Sequence, residues 1–169
     1  FRQRRFIMAL KTDRSTLQTD ISFFMNAAAT RGGIATLSAG GSGASMDNGA
    51  AIVTYDADPS GTVPMGLLIN DMVDIDLTRQ HLNQHKDEVQ KGGKVTLMTK
   101  GWVTTSNLQG TPAAGGIAYV GQSGNVCTST FAATMDGGIA TDQSVGRFLG
   151  SADEDGYAKV FIDLPNTSA

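Results

Sequence analysis

Short apolar runs alternating with glycine-rich turns fill the second half of this chain, and no other feature constrains the fold as strongly. Lys94–Trp102 reads KVTLMTKGW, Gly116–Cys127 reads GIAYVGQSGNVC, and Gly146–Pro165 reads GRFLGSADEDGYAKVFIDLP. Runs of about 4–8 residues bounded by Gly, Asn, Asp and Ser predict strands joined by tight turns, and several in series predict a sandwich or barrel. Twenty-one glycines against four prolines fit turn-dense β structure better than a helical bundle. The expected fold class is therefore mainly β, a small β-barrel or β-sandwich.

Ala51–Tyr55 is a short β-prone run that stops at the turn cluster Asp56–Gly61. Val73, Ile75 and Leu77 then alternate with Asp74 and Asp76, the period-2 pattern of a half-buried strand. Thr78–Val89 is polar and reads as a short helix or a long loop. Val95 and Leu97 oppose Lys94, Thr96 and Lys100, with Met98 breaking the polar side. In the last run Ala158, Val160, Ile162 and Leu164 oppose Lys159, Phe161 and Asp163. Phe161 on the otherwise polar side is either a single exposed aromatic or a group buried against another chain or the N-terminal arm.

Residues 15–30 are the one helix candidate. Ser15 and Gln18 have capping-box form, Leu17, Ile21, Phe24 and Met25 share a helical face, and Gly32-Gly33 supplies a stop. Two readings stay open. The helix packs on its own domain, or it is an arm that docks Phe23, Phe24 and Met25 on a neighbouring subunit. With the Gly40–Gly43 linker behind it, this divides the chain into a helical or extended arm with linker, 1–49, and a β-domain, 50–169. Met8-Ala9 also reads as a translation start, with Phe1–Ile7 as an upstream extension.

Charge and composition exclude several partners. The longest uncharged stretch, Gly101–Met135, is too rich in Ser, Thr, Asn, Gln and Gly to span a bilayer, so no membrane partner is expected. Residues 1–20 carry five basic residues against Asp13 and Asp20, a balance of +3 that leaves −6 for the rest of a chain of net charge −3. That basic segment is a thin patch, read as a solvated tail. Trp102, Tyr55, Tyr119 and Tyr157 are too dispersed for a base-stacking platform, so no nucleic acid is expected either. Cys127 is alone, which excludes an internal disulfide and leaves stability to packing or association.

No constellation suggests catalysis or a cofactor. His81 and His85 would share a helical face with Glu88 nearby, a conceivable zinc site in a small metal-dependent enzyme. The sequence lacks the glutamate that follows the first His in zinc proteases, and Arg79, Gln80, Gln84, Lys86 and Asp87 mark a solvated segment. Asp153–Gly156 resembles part of a calcium loop, but Leu164 stands where the closing glutamate would be, so a hairpin turn is expected. Gly40–Ser45 lacks the Lys-Ser/Thr of a phosphate loop, and Cys127 between Val126 and Thr128 reads as a buried, inert thiol.

The order of features from residue 50 onward is similar to that of a known family. Leu67–Ile69 precedes the glycine-flanked strand leading into Thr99–Val103, the small-residue loop Gly110–Gly116 follows, then Ile117–Val120 with a hairpin, Val145–Gly150, an acidic turn and the strand Ala158–Leu164. This resembles the β-barrel decoration (cement, or head-stabilisation) proteins of tailed bacteriophages, over roughly residues 50–165. The polar insert Asp76–Glu88 is longer than the simplest members need. The resemblance implies a structural virion protein on the capsid exterior, assembled in the host cytoplasm, that binds the major capsid protein and clamps neighbouring subunits. It also implies a homotrimer, whose multivalency compensates for weak single contacts. The interface candidates are Phe23, Phe24, Met25 and Phe161. The alternative of another class is a tail- or fibre-associated adhesion module.

Overall fold

The computed structural model describes residues 9–40, 52–69, 88–129 and 144–164, with the short strands at 75–76 and 81–82. In chain order the first strands are β1 (Leu10–Asp20), β2 (Phe24–Met25), β3 (Ala29–Thr30), β4 (Ile34–Ala39) and β5 (Ile52–Thr54). Next come β6 (Pro64–Leu68), β7 (Ile75–Asp76), β8 (His81–Leu82), β9 (Glu88–Val89) and β10 (Leu97–Thr105). The last are β11 (Leu108–Gln109), β12 (Ile117–Val120), β13 (Val126–Thr128), β14 (Ser144–Phe148) and β15 (Ala158–Asp163). Between β12 and β13 lies the 3-10 turn Gln122–Gly124.

Eleven strands form one mixed sheet in the order β11-β13-β12-β14-β15-β10-β6-β4-β5-β2, with β1 also paired to β10. β11–β13 and β2–β5 run parallel; the other pairs of this sheet are antiparallel. β10 is the hub. β1 follows it from Thr105 to Leu97, β15 pairs with residues 100–105, and β6 pairs with Leu97 and Met98. β3–β9 and β7–β8 are separate two-residue ladders. Strands from residues 10–39 thus share a sheet with those from 52–163, and residues 41–51, where the arm-and-domain boundary was expected, lie outside the described residues.

The helix expected over 15–30 is not formed. Residues 10–20 are a strand, because β10 offers a backbone partner along its length, and the ladder absorbs β-bulges between Leu10 and Arg14 and between Thr16 and Gln18. The apolar positions of the supposed helical face separate accordingly: Leu17 is 65% exposed, whereas Met25 is buried. β1 ends where the Asp20 carboxylate accepts the Ser22 N–H, a local turn that competes with helix.

Period-2 alternation feeds two cores from one sheet. The first gathers Leu10, Ile34, Leu67, Met98, Val103, Ala118, Val126, Phe148, Val160 and Ile162; the second gathers Phe23, Met25, Ala35, Val53, Leu68, Val95 and Leu97. Neighbouring residues of one strand therefore point to different cores, as Ile34/Ala35, Leu67/Leu68 and Leu97/Met98 do. Met98 and Val103 are an odd number of residues apart yet share the first core, which an irregular register between Met98 and Lys100 against β1 makes possible.

The sheet curls around its first core but is not closed into the expected barrel, and it is one sheet rather than the two of a sandwich. The curl brings Gly33, just before β4, against Gly124 in the 3-10 turn, so close that a Cβ on Gly33 would sit 2.7 Å from the Gly124 carbonyl oxygen. Tyr55 occupies that seam. Its hydroxyl accepts from the Gly33 N–H at 3.1 Å and donates to the Thr30 carbonyl at 2.6 Å, and its ring lies over Gly124. Ser123 N–H donates to the Asp56 carbonyl across the same seam at 2.6 Å. A wedged side chain thus stands where a barrel would have a ladder of backbone bonds. The strand predicted over 73–77 is described only at Ile75–Asp76; the remainder lies outside the described residues.

Candidate functional site

The alternation of β15 sets up the outward surface. Ala158, Val160 and Ile162 are buried, so Lys159, Phe161 and Asp163 face away from the first core. In-register pairing carries one row across four further strands: Ser15 opposite Trp102, Trp102 opposite Phe161, Phe161 opposite Arg147, and Arg147 opposite Ile117. Directly opposed residues share a sheet face, so these five side chains form a stripe. A parallel row places Thr104 opposite Lys159, and the Leu149 N–H bonds the Lys159 carbonyl. On the other side Lys100 pairs with Asp163 at 3.4 Å.

Trp102 and Phe161 are half-buried by these neighbours, while Arg147 is exposed, Ile117 is 44% exposed and Leu149 is 45% exposed. The Lys159 ammonium stands 3.5 Å from the centroid of the Trp102 ring, a cation–π contact that keeps its charge at the surface. With Lys100 and Asp163 neutralising each other, Lys159 and Arg147 give the stripe a positive balance on a chain of net charge −3. It is an aromatic and aliphatic band with two cations on it. The sequence reading picked out Phe161 but missed Trp102, Arg147 and Lys159 as its companions. The register change before Gly101 hides the phase of Trp102; Gly101 itself was the available signal.

Beside the stripe, the β14–β15 connection forms the expected turn. The Asp153 N–H donates to the Tyr157 carbonyl, the Gly156 N–H donates to the Asp153 carbonyl, and the Asp153 carboxylate accepts the N–H groups of Asp155 and Tyr157 at 3.1 and 2.7 Å. Its other oxygen takes Lys11 Nζ at 2.8 Å, and that ammonium also lies 4.1 Å from the Tyr157 ring centroid. The Lys11 hydrogen bond holds the Asp153 carboxyl below its usual range, and the same bond raises the Lys11 ammonium. Residues 151–156, with Glu154 and Asp155 among them, are exposed. On the basic N-terminal side, Lys11, Arg14 and Arg31 line a recess of about 120 Å³ with Leu10 and Thr12.

The other interface candidates lie elsewhere. Phe23 and Met25 are buried in the second core, held by Val95 N–H to the Phe23 carbonyl and Met25 N–H to the Gly93 carbonyl. Phe24 between them is half-buried, with Lys94 Nζ 5.6 Å from its ring centroid. Phe161 is therefore not brought together with Phe23–Met25, which border the other core.

The Cys127 thiol is buried beside the Val120 carbonyl at 3.3 Å, and burial pushes it up to about 12. His81 is in β8, an extended pairing with Asp76; His85 lies outside the described residues. Among the described residues no three metal-ligating side chains gather.

Comparison with known proteins gives one family. The chain matches the family of the structural cement protein (E217 gp24/Pam3 gp6) over residues 10–163. No curated protein matches it.

Proposed function

The chain belongs to the phage structural cement protein family, and from that membership we propose that it binds the outer surface of an assembled capsid and clamps neighbouring capsid subunits. It is a structural protein of the phage virion, not an enzyme, and its family role is capsid stabilisation. The observation that carries the finer reading is a match over residues 10–163, which takes in both cores and the whole stripe.

The partner we propose is the major capsid protein, met from outside after assembly in the host cytoplasm, with the protein acting as a homotrimer. Phe161, in the aromatic stripe, supports contact with another copy. Phe24, half-exposed above Phe23 and Met25, supports contact with the capsid, the two buried residues fixing its position from behind. Three linked copies multiply a weak single contact, because after the first has bound the others bind at high effective concentration.

The test is to add the purified protein to undecorated expanded capsids and image them. A regular lattice of added density and a higher disruption temperature are expected. Irregular attachment, or attachment to tails alone, would transfer the protein to the adhesion class. Light scattering of the free protein at micromolar concentration should give three chain masses; a monomer would remove the trimer from this reading.

A further inference from the structure

The stripe and the acidic turn are complementary in chemistry and adjoin each other on one chain. The stripe presents Trp102, Phe161, Ile117 and Leu149 with the cations Lys159 and Arg147. The turn after Leu149 projects Glu154 and Asp155, both exposed, on a loop whose shape is fixed from inside by the Asp153 carboxylate. Asp153 is committed to Lys11 and to two backbone N–H groups, whereas the Glu154 and Asp155 carboxylates make no hydrogen bond or ion pair among the described residues.

Within one chain the turn joins two of the strands that carry the stripe, and its Asp153 is held by Lys11 of β1. A surface and a complementary projection on the same chain can pair reciprocally in a twofold dimer, whereas a trimer requires the heterologous form, in which the projection of each copy meets the surface of the next. Such contacts close into rings when the rotation between copies allows it.

We propose that the band of Trp102, Phe161, Arg147 and Lys159 is the docking surface for the Glu154–Asp155 turn of a second copy of this chain, and that this head-to-tail contact builds the oligomer. The carboxylates meet the two cations, and Leu149 and Ile117 are covered as the turn and its flanks settle. Association should then fall with rising salt, because part of the attraction acts between exposed charges. This rests on the homotrimer reading and names its interface; capsid attachment plays no part in it.

The experiment uses the full chain, free of capsid, in three charge variants measured by sedimentation and light scattering. R147E/K159E reverses the surface and E154K/D155K reverses the turn; each should shift the mass from oligomer to monomer. The quadruple variant carries both reversals, so every contact in the ring is complementary again and the oligomer should return. Far-UV circular dichroism and melting curves on each variant separate lost association from lost folding, which matters because K159E also removes the Trp102 cation–π contact. Three results would overturn the proposal: a monomeric wild type, an oligomer that survives R147E/K159E, or a folded quadruple variant that stays monomeric. Binding of the same variants to expanded capsids is a separate measurement. If R147E/K159E keeps its oligomer but loses the capsid, the stripe is a capsid surface; if the wild type ignores capsids, the proposed function fails while the self-contact stands on its own result.

Discussion

At Gly146 the backbone of β14 lies so close to β15 that a Cβ would fall against the Phe161 carbonyl. Gly146→Ala should therefore cost more than an ordinary helix-neutral or surface change, about 2 kcal/mol or more, since the strands must part to admit a methyl group. Gly150→Ala, four residues on with open space around it, is the control and should stay within about 0.5 kcal/mol of the wild type. Urea melts of the two variants check this, and equal midpoints would refute the close approach. Cys127 makes a pH prediction. Burial raises its folded-state value to about 12, while an unfolded thiol titrates near about 8.5. The folded state therefore holds the proton longer, so this contribution to stability is complete below about 8.5 and is lost as pH rises toward 12. Native protein at pH 8 should resist a thiol reagent that labels the urea-unfolded chain fully; rapid native labelling would contradict the buried, protonated thiol.

Among the elements, β15 was fully legible, because both of its faces follow period 2 and the turn before it contains Asp and Gly at productive positions. β1 was not. Leu17 within it and Ile21 just after it imitate a helical stripe, and only the long β10 ladder decides for the strand. The Asp153 turn can be tested at this scale. Asp153→Ala removes the acceptor for the Asp155 and Tyr157 N–H groups and for Lys11, so it should loosen the loop, with faster amide exchange at Tyr157 and a lower melting temperature. The carboxyl is held below its unfolded value, so its contribution is present above the ordinary carboxylate range and is lost as pH falls through the lowered folded value. The difference in melting temperature between wild type and Asp153→Ala should accordingly shrink on acidification below about pH 4. A gap that stays constant down to pH 2 would exclude the carboxylate as its source.

For the whole molecule, the decisive feature is the seam at which the curled sheet stops short of closure. Tyr55→Phe keeps the ring over Gly124 but removes both hydroxyl bonds, leaving the Gly33 N–H without its acceptor. Loss of about 1–3 kcal/mol is expected from an unsatisfied, largely enclosed donor. Equilibrium unfolding measures it, and a variant as stable as wild type would mean that the seam is held by packing and the Ser123–Asp56 bond alone. Joining the two sides of the seam in this way also lets strands as far apart in sheet order as β4 and β13 contribute to one core.

By itself the sequence determined the β class, the phase of the last strand, the turn at Asp153–Gly156, the inert thiol and, through the order of its features, the family. These follow from local rules: period 2, turn chemistry and the burial of a lone Cys between apolar residues act over a few neighbouring residues. Tertiary structure alone decided that residues 10–20 are a strand, that Leu97 and Met98 belong to different cores, that Trp102 and Arg147 stand beside Phe161, and that Tyr55 bridges the open seam. Each depends on which strand lies alongside which, and in which register. A backbone ladder with a distant strand outweighs local propensity, and one extra residue in a ladder reverses the faces of all that follow.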